Sequence, residues 1–310
     1  MNKKIAIIGL GKMGLNLGLN LKDKSIDVFG FTDTQEGIDF ARKSNFLTFN
    51  TIDETIQNFG EEKRIFWLMV PSGAVDDVLF SDKEGLVNKL KAGDIIIDGG
   101  NSYYKKSIER YNKLKERGIN FLDCGTSGGV MGARNGACLM IGGDREVFSE
   151  IEWVFSSVAQ TEGYSYIGGA GAGHYVKMIH NAIEYGMLQS IAEGVNLAKN
   201  GKYKEVDMNS LLKVWNHGSI VESYLTKVLE KQLEIYPNLD EIEPIVEDNG
   251  EGAWTINEAI EEKIPLSSIS ISLFERYSSR GNDDFGNKLI SLMRNGFGGH
   301  EMKETNISKK

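Results

Sequence analysis

The sequence predicts an α/β domain built on a mostly parallel sheet, followed by an all-α domain. Three observations predict it. The first half alternates short, β-branched apolar runs with helical stretches, the pattern of strands buried on both faces and joined by crossover helices. A small-residue segment, Gly168-Gly169-Ala170-Gly171-Ala172-Gly173, then ends the alternation, and beyond it only helical patterning continues. The 310 residues suffice for two domains at about 150 residues each. The boundary is expected at 165–172, giving domains of 1–170 and 171–310.

The elements follow in order. Residues 5–8 read as the first strand and 13–21 as the helix after it; 27–31 and 35–43 repeat the pair. Residues 64–70 are strand-like and stop at Pro71-Ser72-Gly73, and 94–98, with three consecutive isoleucines, stop at Gly99-Gly100. Residues 120–123 and 137–141 add two more strands. In the second half a helical pattern without proline covers 174–200, and stretches around 207–233, 253–262 and 268–279 are helical. The polar residues from about Lys303 are expected to fray.

Composition narrows the function. Hydrophobic residues make up 41% and charged residues 25%, as in ordinary globular chains. No apolar run approaches the roughly 18 residues of a membrane span. A net charge of −9 without a basic block argues against nucleic acid. The apolar residues 5–8 are broken at once by Gly9, Gly11, Lys12, Gly14 and Asn16, so they read as a strand and not a targeting segment. The two cysteines, Cys124 and Cys138, exclude a disulfide scaffold, fit a reducing cytoplasm and are expected to pack inside. His174, His180, His217 and His300 show no metal-ligand spacing, and no metal is expected.

Gly9-Leu10-Gly11-Lys12-Met13-Gly14 matches G-x-G-x-x-G, follows a strand and opens a helix, the context a Rossmann-type dinucleotide site requires. The glycines permit a tight turn, close approach of a pyrophosphate and close helix–strand packing, while the helix N-terminus offers N–H groups to phosphate. Asp33 stands 19 residues after Gly14, where a carboxylate can accept from the ribose hydroxyls of NAD and repels the 2′-phosphate of NADP. Thr32 is the alternative, a phosphate ligand, and no Arg or Lys follows before Arg42. NAD is therefore expected over NADP. The expected cofactor set is Gly9, Gly11, Lys12, Met13, Gly14, Thr32, Asp33, Val70 and Asn101.

Lys177, His180, Asn181, Glu184 and Tyr185 fall within an arc of about 140° on the long helix, with Ile179, Ala182 and Ile183 opposite. The spacing leaves two readings: a solvated face with i,i+4 pairs, or an acid/base constellation. Two further polar glycine loops, Asp98-Gly99-Gly100-Asn101-Ser102 and Thr126-Ser127-Gly128-Gly129-Val130-Met131-Gly132, each follow a strand, where α/β folds bind ligands. They also suit plain strand-to-helix turns with capping residues.

With these residues in view, the chain resembles 6-phosphogluconate dehydrogenase, within the wider β-hydroxyacid dehydrogenase superfamily. The most specific piece is Gly171-Ala172-Gly173-His174-Tyr175-Val176-Lys177-Met178-Ile179-His180-Asn181-Ala182-Ile183-Glu184-Tyr185-Gly186. Gly99-Gly100-Asn101-Ser102, Ser127-Gly128-Gly129, Trp254-Thr255 and Arg294-Asn295-Gly296-Phe297-Gly298-Gly299-His300 also match. The resemblance implies oxidative decarboxylation of 6-phosphogluconate to ribulose 5-phosphate and CO2 with reduction of NAD(P). It implies Lys177 as general base at the C3 hydroxyl and Glu184 as the acid that protonates C1 of the enediol. Burial beside a cofactor drives an amine toward its neutral form and a carboxyl toward its protonated form, which suits those roles. By the same resemblance Asn101, Ser127, Gly128, Gly129, His180 and Asn181 hold the carboxylate and hydroxyls. Tyr185, Arg276 and Arg294, with His300 nearby, hold the phosphate. The family's C-terminal tail reaches the neighbouring subunit's site, which implies a homodimer or homotetramer.

Four positions depart from the pattern. Asn249 and Glu251 stand where the longer enzymes of the family carry a phosphate-binding Lys and Thr, Ala182 replaces a Gly, and Asp33 replaces the Arg of NADP-dependent members. Glu251 beside a phosphate would be repulsive, so either its loop points elsewhere or the phosphate pocket differs. The second reading is a dehydrogenase of another β-hydroxy acid, such as an unphosphorylated sugar acid. The third, a nucleotide-binding sensor without turnover, is opposed by the presence of both Lys177 and Glu184.

Overall fold

The computed structural model describes residues 3–82, 85–237, 239–240, 242–281 and 284–298. The chain forms two compact units, Met1–His180 and Asn181–Lys310. The division falls inside one continuous helix.

The first unit contains β1 (Lys4–Ile8), α1 (Lys12–Asp23), β2 (Asp27–Phe31), α2 (Gln35–Lys43), β3 (Thr48–Phe49), α3 (Ile52–Gln57), β4 (Ile65–Leu68), α4 (Val75–Phe80), β5 (Ile95–Asp98), α5 (Tyr104–Lys115), β6 (Asn120–Ser127), α6 (Gly129–Asn135), β7 (Ala137–Gly143), α7 (Arg145–Val158) and β8 (Ala159–Gly168). The strands form one sheet in the order β3-β2-β1-β4-β5-β6-β7-β8. Every pairing is parallel except β6 with β7. The first six strands reproduce the doubly wound order, with its reversal between β1 and β4 beside the loop after β1.

Strand alternation builds a core on each face of this sheet. Ile5, Ile7, Ile65, Trp67, Ile95 and Ile97 pack on one side; Ala6, Ile8, Phe66, Leu68 and Ile96 pack on the other. Both faces are covered, which is why the strands read as continuous apolar runs. The less legible elements are polar ones. Helix α5 buries Ser107 and Arg110 beside Leu114, so its inward face carries little apolar periodicity. Strand β8 lies at the sheet edge with residues mostly half-exposed or exposed.

One expectation is corrected. Cys124 is buried, but Cys138 is exposed. On β7 Ala137, Leu139 and Ile141 point into the core, and the period of two turns Cys138 the other way.

Helix α8 (Ala172–Asn200) runs on into the second unit, which adds α9 (Met208–Trp215), α10 (Tyr224–Ile235), α11 (Glu251–Glu261), α12 (Ser267–Ser278) and α13 (Asp284–Gly298). The stretch expected to be helical over 207–233 is two helices. Gly218 takes φ +89° in the break, and a capping box between Ser223 and Thr226 starts α10. The residues from Lys303 lie outside the described residues.

Candidate active site

The loop after β1 is shaped for a dinucleotide. Gly9 has φ +97°, and a Cβ there would sit 2.6 Å from the Met69 carbonyl oxygen. A Cβ on Gly14 would lie 2.0 Å from the Gly9 carbonyl oxygen, so only glycine lets α1 start this close to the strand. Gly11 is the opposite case: a Cβ would meet nothing within 4 Å. Its backbone faces open space at the N-terminus of α1, where no side chain caps the first-turn N–H groups. Lys12 is exposed there, and Met13 and Val70 are half-buried. Just past β2, Thr32 is buried, its hydroxyl 3.1 Å from that of Thr34, and Asp33 is an exposed carboxylate of the turn. The residues present therefore fit a dinucleotide whose ribose hydroxyls meet a carboxylate.

The polar arc of α8 is not a solvated face. Lys177 is 8% exposed and Tyr185 7%, and His180, Asn181 and Glu184 are half-buried. On the opposite side Ala182 is buried, but Ile183 is 50% exposed. The helix thus turns much of its chemistry inward and leaves a large apolar side chain outside.

In the first unit, Lys177 presses on β6. A Cβ on Gly125 would lie 2.5 Å from the Lys177 Cβ. Ser127, at the end of β6, places its hydroxyl 3.2 Å from His180 Nε2. Gly128 and Gly129 follow with φ of +109° and +61°, so the loop that opens α6 relies on backbone available to glycine. In the second unit, Asn181 Nδ2 donates to Glu251 Oε1 at 3.0 Å. The Arg276 guanidinium lies 3.5 Å from the centre of the Tyr185 ring. Burial, with the Glu251 carboxylate beside it, holds the Tyr185 phenol above its ordinary value.

Two buried carboxylates absent from the expected site hold these parts in place. Asp123 on β6 accepts from the backbone N–H groups of Gly171 at 2.7 Å and His174 at 2.8 Å, tying the start of α8 to the sheet. Burial raises its pKa despite those donors. Asp98, at the end of β5, accepts from Gly100 N, Ser102 Oγ and Arg110 Nη1, each at 3.0 Å, and so clamps both sides of Asn101. Arg110 is itself held by Asp76 at 2.7 Å. Asp98 stood in a loop already singled out, but its role depends on Arg110, which no local spacing links to it.

Comparison with known proteins decides the family. Residues 4–168 match the NAD binding domain of 6-phosphogluconate dehydrogenase, and residues 173–285 match the 6-phosphogluconate dehydrogenase C-terminal domain. This chain belongs to the 6-phosphogluconate dehydrogenase family. It is 43% identical over 297 residues to YqeC of Bacillus subtilis (strain 168), covering 96% of this chain and 98% of that one. It is 36% identical over 301 residues to the NAD(+)-dependent, decarboxylating 6-phosphogluconate dehydrogenase of Haloferax volcanii, with 96% and 98% covered. Among solved structures, Plasmodium falciparum 6-phosphogluconate dehydrogenase matches with TM-score 0.79 and 30% identity over 99% of this chain and 67% of its own. A Salmonella typhimurium 3-hydroxyisobutyrate dehydrogenase, at 19% identity and TM-score 0.74, shares the fold, over 90% of this chain and 95% of its own.

As a 6-phosphogluconate dehydrogenase family member, the chain has the expected oxidoreductase architecture of a Rossmann-type domain and a helical one. The departure at Glu251 has a structural answer: the side chain is buried and engaged by Asn181. Arg294 lies exposed on α13, and His300 lies outside the described residues. Among the described residues no helix is long and apolar enough to cross a membrane, and no three metal-ligating side chains gather.

Proposed function

We propose that this chain oxidises and decarboxylates 6-phosphogluconate to ribulose 5-phosphate and CO2, with NAD preferred over NADP. The observation that carries the reading is the α8 signature turned inward, with Lys177 buried against Gly125 of β6. The near full-length likeness to the NAD(+)-dependent Haloferax volcanii enzyme and the exposed Asp33 support the cofactor.

Gly9, Gly11, Lys12, Met13, Gly14, Thr32, Asp33, Val70 and Asn101 hold the dinucleotide. Bound NAD supplies the hydride acceptor. Lys177 takes the proton of the C3 hydroxyl as the C3 hydride departs, then holds that proton against the new ketone oxygen. The C3 ketone takes up the electron pair released as the C1–C2 bond of the β-keto acid breaks and CO2 leaves, and the ammonium stabilises and protonates its oxygen. Glu184 delivers a proton to the carbon that CO2 left. Asn101, Ser127, Gly128, Gly129, His180 and Asn181 orient the sugar acid, and Tyr185, Arg276, Arg294 and His300 take the phosphate. Residues 1–170 form the cofactor domain and lend Asn101, Ser127, Gly128 and Gly129 to the substrate, and 171–310 form the helical domain of substrate binding and assembly. The unpaired thiols Cys124 and Cys138 support a cytoplasmic enzyme.

The test is reduction of NAD and of NADP, in parallel, by purified protein with 6-phosphogluconate, with gluconate as control. Turnover with the phosphorylated acid alone, faster with NAD, is expected. Activity on gluconate and none on 6-phosphogluconate would replace this reading with an unphosphorylated sugar acid, the alternative that Asn249 and Glu251 suggest.

A further inference from the structure

We propose that Glu251 is a positioning residue that fixes the orientation of the Asn181 amide, so that Asn181 meets the substrate as a hydrogen-bond acceptor. The inference rests on the function proposed above and concerns one feature of that site, the recognition of a sugar hydroxyl.

The argument is one of donors and acceptors. Glu251 is 2% exposed, and its Oε1 lies 3.0 Å from Asn181 Nδ2. A carboxylate only accepts, whereas an amide has a donating and an accepting side. The NH2 group of Asn181 is therefore the side turned to Glu251, and its carbonyl oxygen points the other way. An acceptor suits a hydroxyl of the sugar acid and is wrong for its carboxylate or phosphate.

The position of Glu251 is built in advance. It is the first residue of α11, at the positive end of that helix, after Gly250 with φ +98°. The preceding loop is held by Arg276 Nη1 donating to the Glu247 carbonyl at 2.9 Å and Arg280 Nη2 donating to Asp248 at 2.7 Å. Gly252 brings α11 close to α8: a Cβ there would lie 2.8 Å from the Tyr185 ring.

A reciprocal exchange tests this. Asn181→Asp sets two carboxylates at hydrogen-bond distance, and kcat/KM for 6-phosphogluconate is expected to fall about a hundredfold or more. Adding Glu251→Gln supplies an amide that donates to the new carboxylate and returns an acceptor to the substrate side. The double variant is expected to recover at least about tenfold of that loss, with KM for NAD unchanged throughout. Thermal melts on the same preparations report folding. If Asn181→Asp alone does not fold, the double variant is compared with Glu251→Gln, and KM values for 6-phosphogluconate within about threefold are expected. A folded double variant no better than Asn181→Asp, or far weaker than Glu251→Gln, overturns the inference, as does full activity of Asn181→Asp. If the unaltered protein is silent with 6-phosphogluconate, the proposed function fails and this inference falls with it. If it is active and the exchange gives no rescue, the inference alone fails.

Discussion

Lys177 unites the chemistry and the packing of this protein in one side chain. Its amine belongs to the proposed reaction, while its Cβ occupies the space that Gly125 leaves empty. Lys177→Met keeps an unbranched stem and removes the proton acceptor. It is expected to lower kcat by about 10²–10⁴-fold, the usual weight of a positioned acid or base, with NADH affinity within about twofold. Stopped-assay turnover and NADH fluorescence titration check the two halves. The Asp76–Arg110 pair makes a second prediction, about pH. A hydrogen bond from Arg110 lowers the Asp76 pKa below its ordinary 3.8. Its contribution to stability is therefore full above 3.8 and is lost as pH falls through the lowered folded-state value. Asp76→Asn is expected to lower the urea midpoint at pH 7, with the difference from the unaltered protein shrinking as pH falls below 3.8. The half-exposed position of Asp76 keeps the effect modest.

Helix α8 works because its first turns lie against backbone. A Cβ on Gly173 would be 2.4 Å from the Met140 carbonyl oxygen, and one on Gly142 would be 2.7 Å from the Gly173 nitrogen. With Gly125 these residues form a seat of bare backbone on β6 and β7, and Asp123 locks the helix start into it. Gly125→Ala fills the seat from below and pushes on Lys177. Overpacking of this kind costs about 1–3 kcal/mol, and a displaced base is expected to lower kcat about tenfold or more with little change in KM for NAD. A melt and a kcat measurement on that variant suffice. The glycines were visible in the sequence as a flexible approach to the helix. Their purpose was not, because the strands they touch come from some 30 to 50 positions earlier in the chain.

The proposed assembly draws its support from the helical unit. Leu197, Ile220, Tyr224, Ile260, Phe274 and Phe285 are each more than half exposed. Scattered exposed apolar residues are ordinary on a surface, but so many large ones in one helical unit favour burial against another chain. We expect sedimentation velocity to give a mass at least twice the 34.4 kDa of the chain, with activity falling on dilution below the dissociation constant. A fully active monomer would remove the proposed role of Arg294 and His300 in a neighbouring site.

The sequence by itself determined the class of fold, the dinucleotide loop and the helix bearing Lys177 and Glu184. Each is written in local order: strands as β-branched runs, the loop as glycines in register, the helix face as a 3.6-residue period. Only the tertiary structure decided which side of α8 faces inward. Periodicity says which residues share a face and nothing about what covers it. The tertiary structure also paired Asn181 with Glu251, seated Lys177 on Gly125, brought Arg110 to the Asp98 that holds both neighbours of Asn101, and turned Cys138 to solvent. Such partners lie far apart along the chain or on different elements, and their meeting is a property of how those elements pack.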